Sequence, residues 1–229
     1  MSATGSSNPA YVTARVRARR GALFDDDEYR KLVRMTPSEI ARYMEETEYK
    51  QEINALGSRH SGVDLIEYSL NRNLARHFNA LLDFSEGGLY DLIARYLRKF
   101  DAWNVKTILR GVYTDADRTA VESDLIRAGE FEESLLNQLL DAGTIEDVVT
   151  LLDGTIFEEG VSAALEDFEE TDTLVPLENA VDRAFFSHLL DEVGQPEPDS
   201  PRALYREFLE AEIDLLFHVA QLVIVGLLA

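Results

Sequence analysis

Two stretches of this chain match each other at a constant offset of 108 residues. Thr36, Glu39, Ile40, Thr47, Tyr49, Ile53, Ala55, Asn71, Phe78, Leu81, Leu82 and Asp83 stand opposite Thr144, Asp147, Val148, Thr155, Phe157, Val161, Ala163, Asn179, Phe186, Leu189, Leu190 and Asp191. Most pairs are identical and the rest exchange like for like. Solenoid units repeat every ~20–50 residues, so a period this long describes a duplicated small domain and not one turn of a superhelix.

The secondary-structure signals are helical. Apolar residues recur three and four apart, as in Leu89, Ile93, Leu97 and Phe100, or Val148, Leu151 and Leu152. Both copies of the repeat open a helix with one device. Thr36-Pro37-Ser38-Glu39 places threonine at the N-cap, proline at the first helical position and glutamate at the third, a capping box that satisfies two orphan amides. Thr144 and Asp147 repeat its outer members. Asp25, Asp26 and Asp27 mark a further helix start, favourable at the positive end of the dipole. Breaks are expected at 57–62, 85–88, 114–117 and 194–201, where glycine, proline and small polar residues cluster. No segment alternates apolar and polar residues long enough for a sheet. The expected fold is all-α: a flexible start (1–10), a first helical-bundle domain (11–120), a second (121–214), and an aberrant apolar tail (215–229).

Charge narrows the function classes. Asp plus Glu number 43 against 22 Lys plus Arg, a formal charge of −21, and only Lys31, Lys50, Lys99 and Lys106 are lysine. Dispersed, lysine-poor acidity keeps proteins soluble in high salt, which screens their self-repulsion. Nucleic acid is disfavoured as a partner, because a backbone-binding face needs clustered positive charge. There is no cysteine, so disulfides, thiolate metal sites and cysteine nucleophiles are excluded. The first residues lack the basic and apolar regions of a signal peptide.

Candidate chemical motifs each favour a structural reading. No phosphate loop, dinucleotide fingerprint, nucleophile elbow or zinc-helix pattern occurs. Asp115-x-Asp117-x-Thr119 begins like a calcium loop, but Ala120 stands where glycine must turn and Ile126 where a bidentate glutamate belongs. His60, His77, His188 and His218 are scattered, with no partner at metal-ligand spacing. Paired carboxylates such as Glu45-Glu46, Glu158-Glu159 and Glu169-Glu170 belong to a solvated face. No catalytic residue, cofactor or metal is expected. Arg15, Arg17, Arg19 and Arg20 form the basic cluster. They are candidates for partner contact, the alternative being an exposed helix paired with Asp25, Asp26 and Asp27.

One motif stands apart: Tyr96-Leu-Arg-Lys-Phe-Asp-Ala-Trp-Asn-Val-Lys-Thr-Ile-Leu-Arg110. Asn104 lies four residues after Phe100 and four before Ile108, so helical geometry puts its amide in or beside the buried stripe. A buried amide must be hydrogen-bonded, and its expected task is to fix the register of neighbouring helices. Asp101, Trp103 and Arg110 accompany it as structural candidates. With the spaced arginines of 11–20 and Glu39-Ile-Ala-Arg-Tyr-Met-Glu-Glu-Thr-Glu-Tyr49, this motif resembles the family that unites the C subunit of archaeal A-type ATP synthases with the d subunit of vacuolar ATPases, in a halophilic version. The resemblance covers roughly 11–214.

That resemblance implies three related helical domains arranged as a funnel. The funnel caps the proteolipid rotor ring and receives the foot of an axle made of the D and F subunits. A component of this kind is non-catalytic. It couples proton flow to ATP synthesis from the cytoplasmic face of the membrane, where its attachment is peripheral, through the ring. The chain departs from the pattern near its end: the third domain is missing, and superposing Asp101 on Asp214 sets Phe217 where asparagine is expected. From Leu215 onward no charged residue occurs, over a length short of the ~20 residues that span a bilayer. The expectation for 215–229 is a reading-frame artefact or truncation product. The rival readings are a two-domain helical adaptor, a tail-anchored membrane protein, and a helical hydrolase using scattered carboxylates.

Overall fold

The computed structural model describes residues 6–227, with side chains described through 215. Among the described residues every regular element is a helix. The breaks expected from glycine, proline and small polar residues fall at helix ends, and the all-α class holds. By contacts the chain forms two compact units, 1–151 and 152–229. The repeat does not follow that division, since its second copy begins at Thr144, inside the first unit. The cut falls later than residue 120 because the helices after it pack back onto the first unit.

In the first unit, α1 (Pro9–Arg20) and α2 (Asp26–Leu32) precede α3 (Pro37–Met44) and α4 (Lys50–Leu56). These lead to the long α5 (Gly62–Asp83), then α6 (Gly87–Leu97), α7 (Lys99–Tyr113), α8 (Arg118–Asp124), α9 (Glu133–Leu140) and α10 (Ile145–Leu151). Helices α3, α4 and α5 pack together over Ala41, Met44, Tyr49, Ile53, Leu56 and Leu65. Full burial of each large side chain there contributes about 1.5–3 kcal/mol. The α3 start is as the sequence dictates: the Thr36 backbone N–H and hydroxyl both donate to Glu39 Oε2 at 2.8 Å. Those bonds hold the Glu39 carboxyl below its usual range. Asp25 and Glu28 cap α2 in the same reciprocal way.

Helix α7 is the hub of this unit, packing on α6, α8, α9 and α10. Its buried stripe includes Phe100, Val105, Ile108 and Leu109. Gly111 lies under α8, where an added Cβ would come within 2.5 Å of Val121 Cγ2. Asp117 caps α8 by accepting the Thr119 N–H at 2.8 Å, so the calcium-like segment serves as a helix start.

The second unit holds α11 (Glu158–Thr171), α12 (Val175–Val193) and α13 (Pro201–Leu227). Helix α11 packs on α12, and α12 on α13. Their core includes Phe157, Val161, Leu177, Val181 and Leu209. The left-handed Asp172 (φ 50°) ends α11. The backbone of α13 is continuous across Leu215, while the side chains from 216 onward, on which the tail expectation rests, lie outside the described residues. Among the described residues no helix is long and apolar enough to cross a membrane.

Candidate functional site

The residues singled out on α7 separate onto two faces. Asp101 and Asn104, one turn apart, are 2% and 1% exposed. Both grip the connection between α8 and α9. The Asn104 side chain acts as a backbone unit there: its Nδ2 donates to the Ile126 carbonyl at 2.9 Å, and its Oδ1 accepts the Ile126 N–H at 2.9 Å. One turn earlier, Asp101 Oδ2 accepts the Glu130 N–H at 2.8 Å and Oδ1 the Phe131 N–H at 3.1 Å. Two side chains thus hold four backbone groups of a segment that has no helix to satisfy them. The partner of Asn104 is this connection and not a neighbouring helix.

The clasp is sterically and electrostatically tuned. A Cβ on Gly129 would stand 2.0 Å from Asp101 Oδ1, so only glycine lets the connection lie against the carboxylate. Burial pushes the Asp101 carboxyl up to about 6, against the two N–H donors that favour its charged form. Glu130 adds to the rise, and Arg98, which pairs with Glu130, opposes it.

Trp103 and Arg110 lie on the outer face of α7. Both are exposed, and both line a shallow cavity of about 320 Å³ with Glu67, Thr107, Thr114 and Asp124. The structure therefore brings Asp101 together with Asn104, and Trp103 together with Arg110.

In α1, Arg15 and Arg19 cover the Phe84 ring at 4.8 and 5.0 Å. Arg15 also donates to the Tyr11 hydroxyl at 3.2 Å. The pairing of this cluster with Asp25–Asp27 is not how those carboxylates are used: Asp25 caps α2, and Asp27 accepts from Arg30 at 2.6 Å.

A second polar knot, between α4 and α5, is not evident from the sequence. Glu52, 4% exposed, accepts Arg76 Nε at 2.7 Å, and Arg76 Nη2 reaches Glu48 Oε1 at 2.9 Å. Asn73, 3% exposed, donates to the Glu48 carbonyl and to Glu52 Oε2, each at 3.4 Å. The signal that could have found it is spacing. Asn73 and Arg76 stand one turn apart on α5, as Asp101 and Asn104 do on α7.

These arrangements stiffen backbone; among the described residues no group of histidine and carboxylate side chains is placed to hold a metal.

Comparison with known proteins adds the family. The model of the ATP synthase (C/AC39) subunit family matches residues 12–217. The C subunit of the Haloferax volcanii A-type ATP synthase is 68% identical over 214 residues, covering 93% of this chain and 61% of its own. Its counterpart in Halobacterium salinarum is 56% identical over 217 residues, with the same two shares. The Methanosarcina acetivorans counterpart is 36% identical over 211 residues, covering 92% of this chain and 57% of its own. The chain spans about three-fifths of the length of these relatives. The match runs over 12–217 of an all-helical chain and not over an isolated motif: this chain belongs to the ATP synthase (C/AC39) subunit family.

Proposed function

We propose that the chain is a non-catalytic central-stalk component of an A-type ATP synthase. In this reading it couples the proteolipid rotor ring to an axle of the D and F subunits, and is held peripherally at the cytoplasmic face of the membrane. The observation that carries the proposal is the 68% identity, along 93% of this chain, to a protein named as the C subunit of an A-type ATP synthase. The physical chemistry is compatible. A torque-bearing part needs backbone that does not yield, and α7 spends two buried polar side chains on fixing the connection between α8 and α9. Asp101 and Asn104 act on that connection, and Trp103 and Arg110 stay on the solvent side of α7. The limits 11–120 and 121–214 describe the duplicated ancestral unit, with 215–229 outside it.

The test is co-purification. Membranes solubilised in mild detergent at high salt, probed with an antibody to this chain, should yield it with the axle and ring components in constant proportion. Recovery of an intact synthase that lacks this chain, with a different chain in its place, would overturn the proposal.

A further inference from the structure

Between α1 and α5 runs a groove of about 520 Å³ whose composition is unlike the rest of the surface. Nearly a fifth of the chain is acidic, yet not one of the residues lining this groove is an aspartate or glutamate. Its floor is a helical stripe on α5, Leu70, Leu74, Phe78 and Leu81, spaced three and four residues apart. Leu70 and Leu74 are 41% and 38% exposed. The opposite wall is Val16 and Leu23, with Leu23 50% exposed. Arg19 and Arg20 form the rim.

Helix α1 stands beside α5 without closing on it. Val12 is its sole buried residue. It is moored at its ends: Asn8 Nδ2 donates to the Phe84 carbonyl at 2.9 Å, Asn8 Oδ1 accepts the Glu86 N–H at 3.1 Å, and Arg15 and Arg19 lie over the Phe84 ring. The α1 sequence contains no acidic residue. The Arg17 and Arg20 side chains make no hydrogen bond, ion pair or ring contact among the described residues.

We propose that this groove seats an amphipathic helix of another protein, its apolar stripe between α1 and α5 and its flanking carboxylates against Arg19 and Arg20. Two features select that occupant. A floor made of one helix's i, i+4 ridge and walled by a second helix accepts a third helix by ridges-into-grooves packing, whereas an extended peptide finds no sheet edge there. The charge selects acid: a basic rim without carboxylates, on a chain of −21, attracts an acidic segment and disfavours a basic one, an effect that salt weakens. The apolar floor supplies the affinity that survives such salt, because salting-out strengthens burial. The inference does not depend on which complex the chain enters.

The test begins with a photo-crosslinking amino acid at Leu70 or at Leu74 in the full chain, in cells. Irradiation should join it to one other protein, through a peptide that reads as a helix with an apolar stripe flanked by Glu or Asp. A synthetic peptide of that sequence should bind the purified 229-residue chain in molar KCl. Leu74→Glu should weaken binding at least about tenfold while leaving the circular dichroism unchanged. Arg19→Glu with Arg20→Glu should weaken it more at lower salt than at higher. Cross-links to a second copy of this chain or to lipid, a partner segment rich in Lys or Arg, or binding indifferent to Leu74→Glu would each overturn the proposal. Should Leu74→Glu unfold the chain, Leu70→Gln is the alternative variant, read the same way.

Discussion

At the scale of single residues, the Asn104 amide and the Asp101 carboxylate both accept backbone N–H groups of the same connection, and only Asn104 also donates to it. Asn104→Leu suits the apolar stripe but strands the Ile126 N–H in a buried place, at about 1–3 kcal/mol, while the Ile126 carbonyl keeps the Ala128 N–H at 2.9 Å. Asn104→Asp should be worse at neutral pH, because it turns the donor toward the Ile126 carbonyl into a second acceptor beside another buried carboxylate. Denaturant unfolding of the three proteins should rank them Asn, Leu, Asp in falling stability. Asp101 makes a pH-dependent contribution whose sign is unusual. Its folded value is raised to about 6 from an ordinary 3.8. Between those values the native state binds more protons than the unfolded one, so this group's contribution is fully present below about 4 and is lost as pH rises to about 6. The stability difference between wild type and Asp101→Asn should fall across that window and be flat above it. A difference that rises instead would mean that the two N–H donors outweigh burial. Gly129→Ala tests the steric half: its Cβ must displace the carboxylate, at about 1–3 kcal/mol, and the loss should shrink in the Asp101→Gly background.

At the scale of helices and turns, one local structure occurs twice at the repeat offset. The Thr47 hydroxyl donates to the Met44 carbonyl at 2.8 Å and accepts the Tyr49 N–H at 3.4 Å. The Thr155 hydroxyl donates to the Leu152 carbonyl at 2.6 Å and accepts the Phe157 N–H at 3.2 Å. Thr144 and Asp147 exchange bonds at 3.1 Å in each direction, as Thr36 and Glu39 join at α3. Thr47→Val and Thr155→Val should therefore cost similar amounts, about 1 kcal/mol each, measured by thermal unfolding. The knot joining α4 to α5 is less forgiving. Arg76→Ala leaves Glu52 buried with a weakened partner set and should cost about 3 kcal/mol, more than Glu52→Gln, which removes the charge along with the bond. Elements that announce themselves by period and cap were legible in the sequence: the helices, their breaks, and Asn104 in the stripe of α7. The clasp was legible only on its α7 side, because its other side is a connection without periodicity, where Gly129 and Ile126 look like any loop residues. Glu52 was hidden by composition, since one buried carboxylate cannot be told from its many solvated neighbours until its arginine, far along the next helix, is brought beside it.

At the scale of the whole molecule, 43 acidic and 22 basic residues set a balance between local attraction and overall repulsion. Several of the described ion pairs are open to solvent, such as Arg30–Asp27 and Arg118–Asp141. Pairs of that kind contribute about 0–1 kcal/mol and weaken as salt is added. The net charge of −21 acts the other way: it disfavours the compact chain, and salt relieves it. Because the excess of acid is about as large as the whole complement of base, repulsion should win and stability should rise with salt. Two mechanisms could produce that rise, and they have different signatures. Screening is governed by a Debye length of about 10 Å at 0.1 M and about 3 Å at 1 M, so its effect is nearly complete by molar concentration and is alike for any salt at equal ionic strength. Strengthened apolar burial continues to grow beyond that and is larger for sulfate than for chloride. The prediction is a melting temperature that climbs steeply to about 1 M KCl and then more slowly, with sulfate and chloride coinciding on the first limb and separating on the second. A chain whose stability fell with salt over the first limb would place its ion pairs, and not its net charge, in control. Halophilic acidity would then have no part in holding this fold together.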